Sequence, residues 1–418
     1  MSASPREYDP VDISSLAFWS TTAEEREKAF AELRSERPVS WHRPAEGGLT
    51  PSIEGGGFWA AVTHEDVTAV SRRSDDFSSA NGVMLEDIPK EIIDASSSFL
   101  AMDAPEQPRL RRLVSAAFTP KQVARIDDQI AKHAKTIVDE LIETGDCDFV
   151  EHVSRRLPSW TISEMMGVEA ADRAEFTAMA NDMVGWNDPV VQNGRDPGTM
   201  LMETLFSLHG LANQMATARR EKPRDDLMSA LVSAEIEGER LTDAEIAAFF
   251  VLLAVAGNDT TRNTISWGMH ALTHHPDQRA LLAADYENHA VTLVDELVRF
   301  ASPVMTFRRT ALRDTELGGQ PIAKGDWVVM FYSSANRDAA VFDEPNRFDI
   351  TRSPNPHVGF GGGGPHFCMG ASLAKSQLRS MFRELQRVPH LEVGEPDLLV
   401  ANFIRGVSTL PCSVGATA

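Results

Sequence analysis

The chain has 418 residues, of which 42% are hydrophobic and 24% charged, a composition typical of a globular protein. Its 61 acidic and 40 basic residues give a formal charge of −21, which argues against nucleic acid as a partner because phosphates reward clustered lysine and arginine. The three cysteines are too few and too scattered for a disulfide framework, and the first ten residues contain no apolar run. We therefore expect a cytoplasmic protein with no secretory signal and no membrane span.

Hydrophobic periodicity predicts a mainly α protein with a minor β part. In chain order we expect a helix before Pro38, strands within about 39–62, a helix from Thr63, a long loop over 77–100, a basic helix from Met102, helices at 121–143, 157–166, 172–218 and 225–235, a long central helix from Thr242, a helix at 290–300, hairpins within about 306–331 and a last helix from Gly370. The chain contains no repeat and no linker, so residues 1–418 are expected to form a single unit.

A glycine-rich loop that carries a cysteine precedes the last helix, in the stretch Phe360–Gly370. Cys368 lies where that helix begins, and the positive end of the helix dipole would favour thiolate over thiol. The four consecutive glycines before it would let the backbone approach something flat and bulky, because no Cβ intervenes. A thiolate held against a large planar group is what a haem with axial cysteine ligation requires.

The same loop allows three other interpretations. The stretch Gly359–Gly364 satisfies the dinucleotide pattern G-x-G-x-x-G with Glu384 downstream, but the preceding Ser-Pro-Asn-Pro-His does not resemble a strand. His366 and Cys368 could form half of a zinc site, although no second Cys/His pair has suitable spacing. The cysteine could also be buried and inert, and only other parts of the chain can argue against that alternative.

The central helix contains an unusual polar segment, Ala256-Gly-Asn-Asp-Thr-Thr261. The helix begins with a capping box at Thr242–Glu245, and its first half is apolar nearly all round. Polar residues in a buried helix are costly unless paired, and Gly257 lowers helix propensity by about 1 kcal/mol relative to alanine. The segment therefore indicates a functional site or a local helix distortion. The alternative is a threonine bonded to its own helix beside a solvated aspartate.

Several charged and polar residues could complete such a site. Glu296 and Arg299 lie three residues apart on a helix and can form an ion pair, although surface pairs of this kind are common and contribute little. Other cations and donors could bind the carboxylates of a haem through charge-assisted hydrogen bonds, each with a plain surface charge as its alternative. These candidates are Gln107, Arg111, Arg309 and His366.

Together these motifs resemble those of the cytochrome P450 monooxygenases. The haem-loop motif of the family resembles Gly364–Gly370, its central-helix motif resembles Ala256–Thr261, and its Glu-x-x-Arg resembles Glu296 and Arg299. The resemblance implies the P450 fold, with a long central helix over a haem and small β-sheets. One departure is Gly361 where the family usually has phenylalanine, with Phe360 one place earlier. That placement is similar to an actinobacterial subgroup that acts on lipids and sterols.

The resemblance implies haem b as cofactor, with Cys368 as the axial ligand of its iron. Asp259 and Thr260 would be catalytic residues that deliver protons for dioxygen activation. Ala256, Gly257 and Gly370 would be cofactor-binding residues, together with the carboxylate-binding candidates already named. Glu296 and Arg299 would have a structural role, and either Arg347 or Arg352 would complete their group.

The resemblance also implies a partner and a substrate class. Electrons would come ultimately from NAD(P)H through a ferredoxin, which would dock on a basic face formed by Arg109, Arg111, Arg112, Lys375 and Arg379. The substrate would be hydrophobic: a methyl-branched or fatty lipid, an isoprenoid or a sterol side chain. The candidate pocket residues are Val83, Met84, Leu85, Trp186, Val255, Val304, Phe307 and Phe403. The alternatives are a haem-thiolate protein that uses peroxide, or one that acts on a terpene or polyketide-type substrate.

Overall fold

A computed structural model describes residues 6–50, 55–95, 98–117, 120–186 and 188–415 and shows a mainly helical protein. The α-helices are α1 (Leu16–Trp19), α2 (Ala23–Glu36), α3 (His64–Arg72), α4 (Lys90–Ala95), α5 (Glu106–Ala117), α6 (Pro120–Thr144), α7 (Arg156–Met166), α8 (Arg173–Val184), α9 (Pro189–Gln192), α10 (Pro197–Glu221), α11 (Leu227–Ser233), α12 (Asp243–Ala256), α13 (Asp259–His274), α14 (Pro276–Ala284), α15 (Tyr286–Ala301), α16 (Tyr332–Ala335) and α17 (Ala371–Leu385). A 3-10 turn covers Phe99–Ala101, and a π-helical turn covers Val150–Ser154. The prediction of no secretory signal is based on the first ten residues, and residues 1–5 of these lie outside the described residues.

The strands form small sheets at the periphery of the helices. They are β1 (Val39–His42), β2 (Phe58–Ala61), β3 (Phe77–Ser78), β4 (Cys147–Asp148), β5 (Glu235–Ile236), β6 (Glu239–Arg240), β7 (Thr306–Ala311), β8 (Thr315–Leu317), β9 (Gln320–Ile322), β10 (Trp327–Phe331), β11 (Glu392–Val393), β12 (Asp397–Leu398), β13 (Val407–Thr409) and β14 (Pro411–Ser413). A five-stranded sheet has the order β1-β2-β10-β7-β3, in which β2 and β10 are parallel and the other neighbours antiparallel. The predicted mainly α fold with a minor β part is confirmed.

Two predictions about individual elements need correction. The stretch predicted as one long loop, residues 77–100, contains β3, α4 and the start of the 3-10 turn, because elements this short show no periodicity. The predicted central helix begins as expected, with the Thr242 hydroxyl and the Glu245 carboxylate forming the capping box. It is divided into α12 and α13 at Gly257 and Asn258, so the suspected local distortion is a break between two helices.

The centre of the molecule is built around α13, which is buried along most of its length. Side chains from α6, α13, α15 and α17 share one hydrophobic cluster, and α12 contributes to a second cluster with α8 and α10. By length and composition the run Asp243–His274 could cross a membrane, but 56% of its apolar window is buried inside the protein, as in a core helix. That residues 1–418 act as a single unit stays a prediction.

The C-terminal strands bring two distant cysteines together, which the sequence did not indicate. Strand β14 pairs with β4 so that Cys412 lies opposite Cys147, with 3.5 Å between their Sγ atoms. Both are free thiols, as is Cys368. Burial raises the pKa of Cys412 to about 12, which keeps it protonated.

Candidate active site

A cavity lies where the break between α12 and α13 meets the loop before α17. About 1450 Å³ of empty space lies here, part of which is open to solvent. Ala256, Gly257 and Thr260 line it from the helix break, and His366 and Cys368 line it from the loop. The helix break and the cysteine loop therefore face one common space.

Cys368 is held by the backbone of its own loop. Its amide donates to the Phe360 carbonyl at 2.9 Å, which closes the loop directly before α17. Burial raises the pKa of the Cys368 thiol, and a backbone hydrogen bond from Gly370 and the charge of Arg111 oppose that effect only in part. The helix start favours thiolate as expected, but burial opposes it because a buried charge loses its hydration. Coordination to a metal ion would deprotonate the thiol.

The glycine run is required mainly by packing against the protein. A Cβ at Gly362 would lie 3.0 Å from the Thr68 Cα, and one at Gly364 would lie 2.5 Å from the Ser71 carbonyl oxygen, both on α3. Gly361, with φ of +101°, lines the cavity, where a Cβ would meet nothing closer than 3.7 Å. The prediction that all four glycines approach a flat ligand is thus corrected: at Gly362 and Gly364 the close neighbour is α3.

The helix break is held in place by side chains from neighbouring elements. A Cβ on Gly257 would lie 2.3 Å from the Cδ1 of Ile162 on α7, so any larger residue there would require the Ile162 side chain to move. The Ser159 hydroxyl, also on α7, donates to the Asn258 side-chain oxygen at 2.9 Å. The Thr260 hydroxyl lines the cavity and donates to the Ala256 carbonyl at 2.8 Å, which is the intrahelical bond considered as the alternative. The break therefore places a hydroxyl and a turn without regular helical geometry at the cavity wall.

Asp259 is close to the cavity in sequence but is not among the described residues that line it. Its carboxylate is 1% exposed and lies 2.7 Å from the Arg262 guanidinium one turn along α13. Burial raises the pKa of Asp259, and the charge of Arg262 opposes that shift. Arg262 also donates to the Asn181 side-chain oxygen on α8 at 3.1 Å. The sequence reasoning identified Asp259 but missed Arg262, which the i, i+3 spacing could have indicated.

The predicted carboxylate-binding residues divide into two pairs. Gln107 and Arg111 both hydrogen-bond to the Pro365 carbonyl, at 2.8 and 3.1 Å, so α5 supports the cysteine loop. Arg309 and His366 line the cavity, and the ring of His366 contacts the Ser79 hydroxyl at 3.1 Å. Burial, then the charge of Arg309, lower the pKa of His366 to about 4, which keeps its ring neutral. Arg111 lines the cavity as well, whereas Gln107 is not among the described residues that do.

Glu296 and Arg299 form a buried ion pair rather than a surface one. Both side chains are 0% exposed, with 2.7 Å between the Glu296 Oε1 and an Arg299 nitrogen. Arg352 lies 3.2 Å from the other carboxylate oxygen of Glu296. Arg347 instead pairs with Glu344, and only its carbonyl accepts a bond from Arg299. The third cation of the group is therefore Arg352, and this group holds the segment before the cysteine loop against α15.

The predicted pocket residues are only partly at the cavity. Val304 and Phe307 line it, and the Phe403 ring lies 5.4 Å from that of Phe307 without being among the described lining residues. Leu85 packs in an N-terminal cluster, and Trp186 packs with Met200 and Leu201. Val83, Met84 and Val255 are likewise not among the described lining residues. The apolar and hydroxyl lining residues not predicted from the sequence include Phe99, Leu100, Ile162, Phe249, Leu252, Leu253, Thr261 and Thr264.

The residues around the cavity suit a haem. The Cys368 thiol supplies a soft ligand for iron, and the cationic side chains of Arg309 and Arg111 lie at the same cavity, where carboxylates would be neutralised. The wall formed by α12 is apolar, which suits the face of a macrocycle. The dinucleotide interpretation of the loop is not supported, because residues 353–358 form no strand before the glycines.

Comparisons with known proteins agree with this site. The family model described as cytochrome P450 matches residues 60–288 and 290–387. The chain is 41% identical over 406 residues to the methyl-branched lipid omega-hydroxylase of Mycobacterium bovis, covering 96% of this chain and 94% of that protein. It is 43% identical over 387 residues to the steroid C26-monooxygenase of the same organism, covering 90% and 87%.

A solved structure is also similar over nearly its full length. The Mycobacterium marinum cytochrome P450 in complex with pseudoionone has a TM-score of 0.94 and 54% identity, covering 98% of this chain and 100% of that one. The chain therefore belongs to the cytochrome P450 family and is a monooxygenase with haem b as its cofactor and a hydrophobic substrate.

Proposed function

We propose that this enzyme hydroxylates a methyl-branched chain of a lipid, an isoprenoid or a sterol. The observation that carries the proposal is the composition of the cavity lining. Its apolar residues include Phe99, Leu100, Phe249, Leu252, Leu253, Val304 and Phe307, and its charged residues are Arg111 and Arg309, which the haem carboxylates would neutralise. Such a wall can hold a substrate by apolar contact but offers no charge to anchor a head group.

The names of the relatives support the same substrate class. One acts as a methyl-branched lipid omega-hydroxylase, another is a steroid C26-monooxygenase, and a third P450 has been solved with pseudoionone. An apolar wall separates substrates mainly by shape, because each extra methylene contributes only about 1–3 kcal/mol of discrimination. We therefore expect several branched chains to bind. The shape of the cavity would decide which carbon of the chain lies near the iron and is hydroxylated.

In this proposal the residues at and near the cavity have different roles: some bind the haem, one supports its loop and two transfer protons. Bound haem supplies the iron that activates dioxygen, and electron donation from the Cys368 sulfur favours O–O cleavage. Arg309, His366 and Arg111 hold its carboxylates, Gln107 supports the loop, and Ala256, Gly257 and Gly370 allow close contact. Thr260 would hold a proton on its hydroxyl at the cavity wall, and Asp259 would first take up a proton and then pass it towards that hydroxyl.

We also propose that a ferredoxin docks on the side of the Cys368 loop. Phe367 is 43% exposed there, which gives an apolar centre for an interface. Of the five predicted cations, Arg112 and Arg379 are exposed, whereas Arg109 pairs with Glu245 and Lys375 pairs with Asp295 at 2.6 Å. Arg111 donates to the Phe367 carbonyl at 2.6 Å. Arg112, Arg379 and Phe367 are thus the core of the proposed face. A cytoplasmic location belongs to the same proposal, supported by three free thiols.

A carbon monoxide difference spectrum of the reduced enzyme tests the haem site. We expect the Soret band of a thiolate-ligated haem, and we expect Cys368→Ala to abolish it because the variant has no sulfur at the iron position. Cys147→Ala, which removes another partly buried thiol, is the matched control and should keep the band. A Cys368→Ala variant that retains the band would contradict the assignment.

Substrate-induced shifts of the haem spectrum test the substrate class. We expect shifts with pseudoionone, with a methyl-branched fatty acid and with a sterol, and a smaller shift with a straight-chain fatty acid of equal length. Leu253→Phe should narrow the cavity and weaken binding of the sterol before that of the other compounds. Leu281→Phe, at an exposed site, should leave all spectral shifts unchanged. Hydroxylated products of the shifting compounds, formed with a ferredoxin and its reductase, would complete the test; equal binding of all compounds would contradict it.

A further inference from the structure

Two histidines and a glutamate converge far along α13 from the helix break. His270 and His274 lie one turn apart on α13, and their rings stack with 4.1 Å between centroids. Glu395 reaches them from the segment between β11 and β12. The ligand atoms of the three residues all lie within 4.8 Å of one another. Neither the fold nor the P450 site requires this cluster.

The distances in the cluster suit an ion between the side chains better than direct hydrogen bonds. The Glu395 carboxylate lies 3.8 Å from the His270 Nε2 and 3.6 Å from the His274 Nε2. Both exceed the roughly 3.2 Å limit of an ordinary hydrogen bond. Ligands on one tetrahedral zinc ion, at about 2.0–2.2 Å from the metal, are separated by roughly 3.4 Å. Small side-chain adjustments would therefore bring all three onto one ion.

The histidine rings are also oriented for metal binding. The Nδ1 of His274 contacts the His270 carbonyl at 2.9 Å, so that nitrogen carries the proton and leaves Nε2 with a free lone pair. The Nε2 of His270 is buried and has no hydrogen-bond partner. The edge of Trp267 packs on the His270 ring, which restricts its rotation. Two nitrogens and a carboxylate thus face one point without competing bonds.

We propose that His270, His274 and Glu395 form a binding site for a divalent first-row transition ion such as zinc. Two imidazoles with one carboxylate suit zinc, nickel or copper, whereas magnesium prefers oxygen ligands. The Glu395 side chain is 85% exposed and that of His274 45%, so an ion can enter from solvent and complete its coordination with water. The ion would tie the segment between β11 and β12 to the C-terminal part of α13.

Calorimetric titration of zinc into the untagged holoenzyme tests this site. We expect one zinc ion per chain, and a melting temperature that rises with zinc concentration because the ion binds only the folded state. His274→Ala and Glu395→Gln alter exposed side chains and should fold normally. Each should lower the zinc affinity by about 10–100-fold or more, because loss of even an outer-shell contact lowers metal affinity by that factor.

Three controls separate this site from others. His390→Ala, which removes an exposed histidine elsewhere, and Cys412→Ser, which removes one of the paired thiols, should bind zinc like the parent enzyme. Magnesium at the same concentration should leave the melting temperature unchanged. Zinc binding that survives in both His274→Ala and Glu395→Gln, or that is lost in Cys412→Ser, would overturn the proposal. None of these readouts depends on catalytic activity.

Discussion

The guanidinium of Arg262 lies 2.7 Å from the carboxylate of Asp259, and both side chains are buried beside the break in the central helix. Burial raises the pKa of this carboxyl group while Arg262 stabilises its ionised form. Asp259 directly precedes Thr260, whose hydroxyl lies at the cavity wall. Arg262 is therefore a positioning residue that sets when Asp259 can give up or accept a proton.

Arg262→Ala should move the pH dependence of turnover. Without the guanidinium the ionised form of Asp259 loses its partner, so its pKa rises further and the carboxyl keeps its proton to higher pH. The limb of the pH–rate profile that reports this acid should therefore shift to higher pH. Arg262→Lys keeps the charge and should restore the profile. A profile unchanged in Arg262→Ala would show that this acid does not supply protons.

Thr260→Ala should reduce product formed per oxygen consumed. The variant removes the hydroxyl that lines the cavity and bonds to the Ala256 carbonyl at 2.8 Å. Loss of a positioned proton donor costs about 10²–10⁴-fold in the step it serves, so oxygen should be released as peroxide instead. Thr264→Val, which removes a hydroxyl bonded to the Thr260 carbonyl at 2.8 Å, is the control and should keep most of the coupling. Equal coupling in Thr260→Ala and its parent would refute the role.

Removal of Arg352 should destabilise the haem-bound enzyme, whereas removal of Arg347 should not. Arg352 is the second cation on the buried Glu296 carboxylate, and breaking one partner of a buried ion group costs about 3–5 kcal/mol. Arg347 pairs with Glu344 at the surface, where solvent screens the pair. Urea unfolding followed by the haem absorbance measures the difference. Equal midpoints for Arg352→Ala and Arg347→Ala would contradict the assignment.

Charge reversal on the proposed docking face should weaken reduction by ferredoxin. Arg112→Glu and Arg379→Glu should raise the KM for ferredoxin and reduce its salt dependence, because exposed cations act mainly on encounter with an acidic partner. Substrate-induced spectral shifts should stay unchanged, since neither residue lines the cavity. Arg43→Glu, at an exposed arginine directly after β1, is the control. An unchanged KM in both variants would place the partner elsewhere.

The sequence by itself determined the family and the residues of its motifs. Cysteine, glycine and Glu-x-x-Arg patterns depend on local spacing, and local spacing can be read along the chain. The capping box at Thr242 and the polar segment after Ala256 likewise predicted where the central helix begins and where it is distorted, because both effects arise within one or two turns.

Only the tertiary structure decided which distant residues meet. Arg352 rather than Arg347 reaches Glu296 because the chain between them folds back on α15, and Gly362 and Gly364 are required by contact with α3, some 290 residues earlier in the chain. Burial raises the pKa of Cys368, an effect that spacing along the chain does not reveal. The cavity wall and the pairing of His270 and His274 with Glu395 also depend on long-range packing. Side chains far apart in sequence become neighbours through the burial of apolar surface, and local spacing does not show which apolar faces pack together.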